Sequence, residues 1–430
     1  MDITEIHIIK DNNKLWEYVD KLCFQTKCLR NKTNFILREN FFSKRNHKYI
    51  SYYELDKIFK RHKDLEKFYR NVPRATIAQQ CLRMLDKEWK SFFESCKARK
   101  NFPEKFNGIP KPPKYKKGNI TYTAVLLPQE FKVNKKNVIL PEYLGNHKIH
   151  FHNPGRLKQI RIVPCSNKVY KIELIFEVED IMLKQKQDRY LSIDLGVDNF
   201  AAITTNIGTN PILLNGKGLK SINQYYNKKI SSCKSILPHY KNGKQQSTSK
   251  LTERLYTNRN NKIKTYMHRF SRFVVDYADK NNIDTIVIGY NKNWKQESDL
   301  GKKNNQNFQQ LPFLIFVNQI KYKAEMRGIE VVTIEESYTS GTSFLDKETP
   351  EKQFYNKSRR IERGLFKSNS GILINADVNA SYQILTKYLQ KLDKNYVVEG
   401  LRDVISKNLS YALNPNKITI DNNTAINKFY

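Results

Sequence analysis

The sequence predicts a multidomain α+β fold: an N-terminal strand, a helical region and a small β-barrel, followed by an α/β domain. Three observations support this. The 430 residues suffice for two or three domains with cores of their own. Residues 11–100 show helical apolar spacing, whereas 1–10 and 101–180 carry short strand-like runs. From 181 onward, apolar runs typical of buried strands alternate with helical segments.

The charge of the chain indicates a polyanionic partner. Lys and Arg number 76 against 42 Asp and Glu, a difference of +34, and the sequence pI is about 9.7. Nucleic acid fits this excess better than a membrane surface, because no basic amphipathic helix of the membrane-binding type stands out. AT-rich coding bias would explain the many lysines but not the shortage of acids.

The sequence also predicts where the protein works. It has no apolar run of 18 or more residues and no signal-peptide pattern at its N-terminus, so we expect a soluble, cytoplasmic protein without a membrane partner. Its six cysteines include no CxxC pair, which predicts neither a disulfide framework nor a structural zinc site.

Within the first 180 residues, the patterns predict a change from helices to strands. The helix that follows Pro73 carries Ile77, Cys81, Leu85 and Trp89 at steps of four. The segment 108–119, GIPKPPKYKKGN, reads as a linker, and the short strands after it suggest the barrel.

The α/β domain is organised around YLSIDLGVDN, residues 190–199. An apolar strand carries Asp194 near its end and pairs with FAAITTN as a hairpin. Farther on, strand 283–291, helix 312–327 and the strand before Glu335 predict a parallel, right-handed crossover. Residues 391–430 have weaker periodicity and read as a peripheral tail.

Three acids from distant positions are the candidate catalytic and metal-binding residues. Asp194 lies on a buried strand, Glu335 and Glu336 end a second one, and Asp377 opens a helix. A buried carboxylate must be neutralised, hydrogen-bonded or bound to a metal. Carboxylates that converge in this way suit Mg²⁺, a hard cation that takes oxygen ligands.

A second set of candidates is basic. The helical stretch 217–280 contains cations among Tyr and Phe, a mixture that suits phosphate binding beside base or sugar packing, although an ordinary amphipathic helix would show it too. These cations are Arg254, Arg259, Lys262, Lys264, Arg269 and Arg272.

Five motifs in this order resemble the transposon-encoded TnpB proteins, relatives of the type V CRISPR nucleases. They are SIDLGVDN, DTIVIGYNKNWKQ, KYKAEMRGIEVV, EESYTS and NADVNASY, starting at residues 192, 284, 321, 335 and 375. The resemblance covers nearly the whole chain in layout. Each motif is weak alone, and the ordered set is specific.

The resemblance implies a domain plan. A wedge barrel (1–10 plus 101–180) is interrupted by a helical recognition lobe (11–100). A RuvC-like nuclease domain of RNase H fold (181–390) follows, with a helical insertion at 217–280, and 391–430 form the tail. Such proteins carry a guide RNA, as a monomer or a dimer on one RNA. They recognise a short flanking motif, pair the guide with double-stranded target DNA and cleave that DNA.

The same resemblance assigns the acids and exposes two departures. Asp194 and Asp377 match the first and third catalytic carboxylates. Gly289 stands where the family usually has the second, and in a subset the missing Glu lies before the YTS-like segment, which matches Glu336. Glu335 and Glu336 would face opposite sides of a strand. The family's zinc ribbon is also missing, because no Cys occurs between Ser337 and Asp377. That segment must fold without zinc or stay mobile until nucleic acid orders it.

Two further questions stay open at this point. The flanking motif would be read by polar side chains of the helical lobe and barrel, for which Thr76, Gln79, Gln80, Tyr122 and Thr123 are candidates; polar residues on a helix face that touch no base are the simpler alternative. The chain could also be a nuclease-dead, RNA-guided repressor of transcription. A transposase acting in its own right would need a nucleophilic Tyr beside paired histidines, a pairing that the sequence does not show.

Overall fold

The structure is a computed structural model with two compact units, residues 1–180 and Ile181–Tyr430. It describes residues 2–43, 48–165, 168–238, 248–291, 302–362, 364–407 and 409–419. Parts of three predictions lie outside these ranges: residues 292–296 of the second motif, the middle of the helical insertion and the last 11 residues of the tail.

Among the described residues of the first unit, four α-helices form the helical part. Buried residues of α1 and α4 pack these two long helices against each other, and α4 buries the predicted positions at steps of four, including Cys81 and Trp89. The side chain of Ser51 caps α2 in a reciprocal bond pattern with Glu54. The helices are α1 (Trp16–Phe42), α2 (Tyr52–Arg61), α3 (Lys63–Arg70) and α4 (Ala75–Asn101).

The strands of the first unit form two sheets. One has the order β1-β7-β6-β2 and the other β3-β4-β5, and all of their pairings are antiparallel. The predicted barrel is therefore not confirmed. The strands are β1 (Asp2–Ile9), β2 (Ala124–Leu126), β3 (Lys132–Asn134), β4 (Asn137–Ile139), β5 (Lys148–His150), β6 (Arg156–Pro164) and β7 (Tyr170–Glu177).

A six-stranded mixed sheet with the order β12-β11-β8-β9-β10-β15 is the centre of the second unit. The predicted hairpin is confirmed, because β8 and β9 pair antiparallel. The predicted parallel connection is confirmed too, because β11 pairs parallel with both β8 and β12. The strands are β8 (Tyr190–Leu195), β9 (Asn199–Thr205), β10 (Ile212–Asn215), β11 (Thr285–Gly289), β12 (Glu330–Ile334) and β15 (Asn416–Ile418).

Helices cover both faces of this sheet, as expected for α/β domains. On one face, Phe270 of α6 and Phe316 of α8 pack on Phe200. The other face is covered by α9, whose Ser381 bonds Ser192 of β8. The helices are α5 (Lys217–Ser235), α6 (Lys250–Lys280), α7 (Lys302–Gln309), α8 (Phe313–Glu325), α9 (Ala376–Lys391), α10 (Asn395–Lys407) and α11 (Leu409–Leu413), and a hairpin of β13 (Leu365–Lys367) and β14 (Leu373–Asn375) precedes α9.

The C-terminal segment corrects the prediction of a peripheral tail. Val398, Leu401 and Ile405 of α10 are buried in the cluster on the α9 face, and β15 joins the sheet parallel to β10. The reason is visible in the spacing of these three residues, which puts them on one side of a helix. Polar residues and Gly400 lie between these three positions, so that the apolar stripe covers only a narrow part of the helix surface.

Candidate active site

Asp194 lies near the end of β8, on the face that α9 covers. The side chains of a strand alternate, so Asp194 points to the same side as Ser192, which contacts α9. Burial raises the pKa of Asp194 well above its usual value, and the charges of Glu336 and Asp377 raise it further, while Arg360 acts in the opposite direction. A carboxylate in such surroundings needs a positive neighbour to stay ionised.

Gly289 ends β11, the parallel neighbour of β8, and it leaves room for a carboxylate. Ile288 of β11 pairs with Ile193 of β8, and Gly289 and Asp194 are the next residues on these two strands. A Cβ atom at Gly289 would lie 2.8 Å from Oε2 of Glu336 and 2.4 Å from Cδ1 of Ile384. The carboxylate of Glu336 therefore occupies the space that a side chain at position 289 would take.

Glu336 reaches this space from outside the sheet. β12 ends at Ile334, so Glu336 follows the strand, whereas the sequence predicted it on the strand. Its backbone N–H donates to Oδ1 of Asn291 at 2.9 Å, and its Oε2 is buried with no hydrogen-bond partner among the described residues. Burial raises the pKa of Glu336 to about 7, and the charge of Lys387 opposes this shift. Glu335, in contrast, is exposed and accepts a bond from the Ser337 hydroxyl.

Asp377 lies in the first turn of α9, which the Asn375 side chain caps by accepting from the backbone N–H groups of Asp377 and Val378. Its carboxylate accepts from Nδ2 of Asn199 at 2.8 Å and from Nη2 of Arg360 at 3.3 Å. Asn199 starts β9, directly after the turn that follows Asp194. The hairpin therefore supplies Asp194 and also Asn199, a hydrogen-bond donor that orients Asp377.

A basic cleft opens beside Asp377. It has a volume of about 1030 Å³, and Asn199, Asp198 and Asp377 contribute to its walls. Asp198 forms an ion pair with Lys220. Positive side chains are suited to hold the phosphates of a nucleic-acid strand. Those that line the cleft are Lys217, Lys220, Arg360 and Lys417.

Arg360 comes from the segment between Ser337 and Asp377, in which the sequence left folding without zinc and mobility as alternatives. The described residues of this segment are folded around two acids. Buried Glu348 accepts from the Ser343 N–H at 2.7 Å and from Nη1 of Arg359 at 2.6 Å. Asp346 accepts from the backbone N–H groups of Asn369 and Ser370. The bond to Glu348 fixes Arg359, and this keeps its neighbour Arg360 next to Asp377 of the candidate site.

The donor set suits a divalent cation. Asp194, Glu336 and Asp377 offer oxygen ligands, which Mg²⁺ prefers, and the unpaired buried Oε2 of Glu336 is the kind of atom that a cation would satisfy. Within the described ranges, no three His, Cys, Asp or Glu side chains are already arranged closely enough to hold an ion. Arg360 now donates to Asp377, so a cation would have to compete with this guanidinium.

The predicted motif-reading residues of the first unit differ in accessibility. Tyr122 is a correction: its side chain is only 7% exposed, lies under the Arg30 guanidinium and donates its hydroxyl to Glu88 at 2.9 Å. Packing therefore removes it from any base. Thr76 is partly exposed but donates to Glu130. Gln79, Gln80 and Thr123 are partly exposed.

The arginines of α6 divide in a similar way. Arg259 is a second correction, because it donates to the Asn223 side chain at 2.8 Å and to the Gln310 carbonyl at 2.7 Å, and so ties α6 to its neighbours. Arg272 is exposed and pairs with Asp276 on the same helix. Arg254 is exposed and Arg269 partly exposed. The sequence could not separate these roles, because the four arginines are residues of the same type in the same helical stretch.

The fold and the site define a mixed α/β multidomain protein in which acids from distant chain positions influence one another electrostatically beside a basic cleft. A family model described as a probable transposase, OrfB_IS605, matches residues 173–295, and a model of the Cas12f1-like TNB domain matches 313–384. The CRISPR-associated endodeoxyribonuclease Cas12f1 of Sulfoacidibacillus thermotolerans is 32% identical over 129 residues, 30% of this chain and 28% of that protein. The match thus spans little more than a quarter of the relative.

Two solved structures are also similar. One, a cryo-EM structure of the Cas12f1-sgRNA-target DNA complex, has 17% identity and a TM-score of 0.35, covering 88% of this chain and 98% of that chain. The other, a CRISPR-Cas12f ternary complex, has 14% identity and a TM-score of 0.37, covering 86% and 80%. The two family models and the sequence relative together support a TnpB/Cas12f-like family for this chain, which confirms the resemblance of its motifs.

Proposed function

We propose that this chain is an RNA-guided DNA endonuclease of an insertion sequence, which pairs its guide RNA with target DNA beside a short flanking motif and cleaves by metal-dependent phosphodiester hydrolysis. The family supports a nuclease of this type. The observation that carries the proposal is the buried carboxylate of Glu336, which fills the space over Gly289 beside Asp194. Glu336 thereby supplies an acid close to Gly289, the position at which the family usually has one and this chain does not.

Asp194, Glu336 and Asp377 would hold Mg²⁺. When bound, such ions activate a water and stabilise the leaving oxygen in phosphodiester hydrolysis. The chain's own groups do the rest. Asn199 donates to one oxygen of Asp377 and thereby orients this carboxylate. Lys217, Lys220 and Lys417 would bind the phosphates of the strand in the cleft.

Arg360 would have two partners in turn. Without nucleic acid it donates to Asp377 at 3.3 Å, and it is 38% exposed. A phosphate in the cleft would offer it a second, fully charged acceptor, for which a planar guanidinium is well suited. We expect it to bind the strand next to the acids, and so to release Asp377 for the metal.

Nucleic acid is the partner that the charge of the chain also favours. We propose guide RNA and double-stranded DNA as partners, one or two copies of the chain on each RNA, and the nucleoid region of a prokaryotic cytoplasm as the place of action. Across the described helices, the longest apolar stretches fall short of what crossing a membrane requires.

The alternative is an RNA-guided DNA-binding protein that has lost cleavage and represses transcription. Gly289 at the usual acid position favours it. One experiment separates the two: the ribonucleoprotein, purified with the RNA that it carries, is incubated with Mg²⁺ and a DNA matched to that RNA. The proposal expects cut DNA, and no cutting by the Asp194→Ala variant. Binding of the same DNA without cutting by the wild type would favour the repressor.

A further inference from the structure

The segment 108–119, which the sequence predicts to be a linker, is fastened along α1. Asn31 forms two bonds with Lys116, from Nδ2 to the carbonyl at 2.9 Å and from the Lys116 N–H to Oδ1 at 3.0 Å. Asn34 and Arg38 both donate to the Pro113 carbonyl, at 3.0 and 3.2 Å. The bonds from Lys27 and Arg30 to the carbonyls of Gly118 and Lys114 complete the set.

These bonds use the backbone of the segment and leave its lysine heads in solvent. Lys111, Lys114 and Lys117 are all exposed and recur every third residue, with Pro112 and Pro113 between them. Prolines favour the polyproline II conformation, which has three residues per turn and a rise of about 3.1 Å per residue. In that conformation the three lysines share one edge, about 9 Å apart. We call residues 111–117 the basic strap.

Beside the basic strap, α1 exposes a row of aromatic side chains. Phe24, Phe35 and Phe42 are 49%, 46% and 52% exposed, and they lie on the side of the helix opposite to buried Val19, Leu22 and Leu37. We call these three residues the aromatic stripe. Large apolar side chains grouped in solvent usually mark a binding surface.

Each ring of the aromatic stripe has a cation over it. Lys27 lies 4.9 Å from the centre of the Phe24 ring, and Lys32 lies 5.1 Å from that of Phe35. Arg38 lies 5.5 Å from the Phe42 ring and 5.7 Å from Tyr115 of the basic strap. Arg38 also holds the basic strap through the Pro113 carbonyl, and Lys27 holds Gly118, the residue next to the strap. The two features therefore form one continuous surface.

The chemistry of this surface identifies its partner. An apolar protein face would have to strip water from Lys32 and Arg38, the partly exposed cations over the rings, which is costly. A single strand of nucleic acid meets both features, because its phosphates pair with lysines and its bases stack on aromatic rings. We propose that the basic strap and the aromatic stripe bind a single-stranded stretch of RNA. This proposal rests on the proposed function in one respect, because it takes RNA to be the nucleic acid that the protein carries.

The test uses the full-length protein, freed of copurified nucleic acid, and an unstructured 20-nucleotide RNA whose binding is followed by fluorescence anisotropy at several salt concentrations. The variant K111E/K114E/K117E changes the basic strap, and K132E/K136E/K148E makes the same charge change at exposed lysines of the β3–β5 sheet. The strap variant should lower the slope of log K against log salt by about 2, since each phosphate contact of a single strand contributes about 0.7. The control variant should change it much less. Equal effects would overturn the proposal.

Two variants without a charge change separate surface from net charge. F24A/F35A should weaken binding about 10-fold with an unchanged salt slope, in the range known for lost base stacking. N31A removes both bonds to Lys116 and should weaken binding while every lysine is kept. Unchanged thermal unfolding midpoints of the phenylalanine and lysine variants confirm that these proteins are folded.

Other outcomes point elsewhere. If F24A/F35A binds RNA as the wild type does but separates a dimer in sedimentation, the aromatic stripe is a protein interface and the proposal fails. Binding of a DNA strand of the same sequence, but not of the RNA, would overturn the assignment to RNA. Asp194→Asn should bind the probe normally. Failure of DNA cleavage alone would therefore contradict the proposed function and leave this inference standing.

Discussion

A methyl group added at Gly289 is the sharpest perturbation of the candidate site. Its carbon would lie 2.8 Å from Oε2 of Glu336 and 2.4 Å from Cδ1 of Ile384, both far inside the ordinary contact distance of about 3.5 Å. Ile384 can relieve its contact by rotating its terminal carbon, but the Glu336 carboxylate has to leave the space over β11. Overpacking of this kind usually costs about 1–3 kcal/mol.

We therefore expect Gly289→Ala to lower the free energy of unfolding by about 1–3 kcal/mol and to reduce the cleavage rate by about 100-fold or more, the size of effect that follows a misplaced catalytic group. Single-turnover cleavage of matched DNA by the purified ribonucleoprotein measures the second effect, and DNA binding should stay as in the wild type. Gly400→Ala is the matched control, because a Cβ there meets nothing within 4 Å. Wild-type cleavage by Gly289→Ala would refute the role given to Glu336.

A compensating variant extends this prediction. Gly289→Glu with Glu336→Ala returns the acid to the strand, and Ile384→Val removes the Cδ1 atom that a side chain at 289 would meet. We expect the triple variant to cleave faster than Glu336→Ala alone. The same rate in both would mean that the two positions do not reach the same place.

Three further predictions concern the neighbouring elements. Asp194→Asn should lower cleavage by orders of magnitude while RNA-guided DNA binding, measured by filter retention, persists. Glu348→Gln should weaken the buried ion pair with Arg359 and lower the free energy of unfolding, measured by chemical denaturation, by up to about 3 kcal/mol. It should slow cleavage as well, because Arg360, which follows Arg359 and donates to Asp377, would be held less firmly. The pKa of Asp188 is lowered to about 2 by bonds from Lys394 and Tyr396, so this carboxylate stabilises the fold above pH 4 and the gain disappears as pH falls toward 2. Asp188→Asn should therefore flatten acid unfolding over that range, by about 1 kcal/mol or less since solvent screens the pair.

The sequence predicts those parts of the site that local patterns determine. The hairpin of β8 and β9, the parallel pairing of β11 with β12 and the helix start at Asp377 all follow from apolar periodicity and capping residues. From the sequence, Glu335 and Glu336 could be distinguished only because neighbouring side chains of a strand point to opposite faces. The structure shows Glu335 exposed and the Oε2 atom of Glu336 buried, although neither residue lies on the strand.

Features that depend on distant contacts could not be predicted. Tyr122 and Arg259 are residue types that often bind nucleic acids, yet Tyr122 is buried and Arg259 is partly buried. Their partners Glu88 and Gln310 lie 34 and 51 residues away in the sequence. Nothing near Arg360 marks its approach to Asp377, 17 residues later. The segment 108–119 has a linker's composition, because the side chains that fasten it belong to α1.

Binding of Mn²⁺ to the ribonucleoprotein, followed by electron paramagnetic resonance, tests most directly whether the three carboxylates share a metal. Glu336→Gln should lose this binding, as should Asp194→Asn and Asp377→Asn, whereas Glu335→Gln should bind Mn²⁺ as the wild type does, because its carboxylate faces solvent. Equal Mn²⁺ binding by Glu336→Gln and Glu335→Gln would contradict a metal site that uses the acid over Gly289.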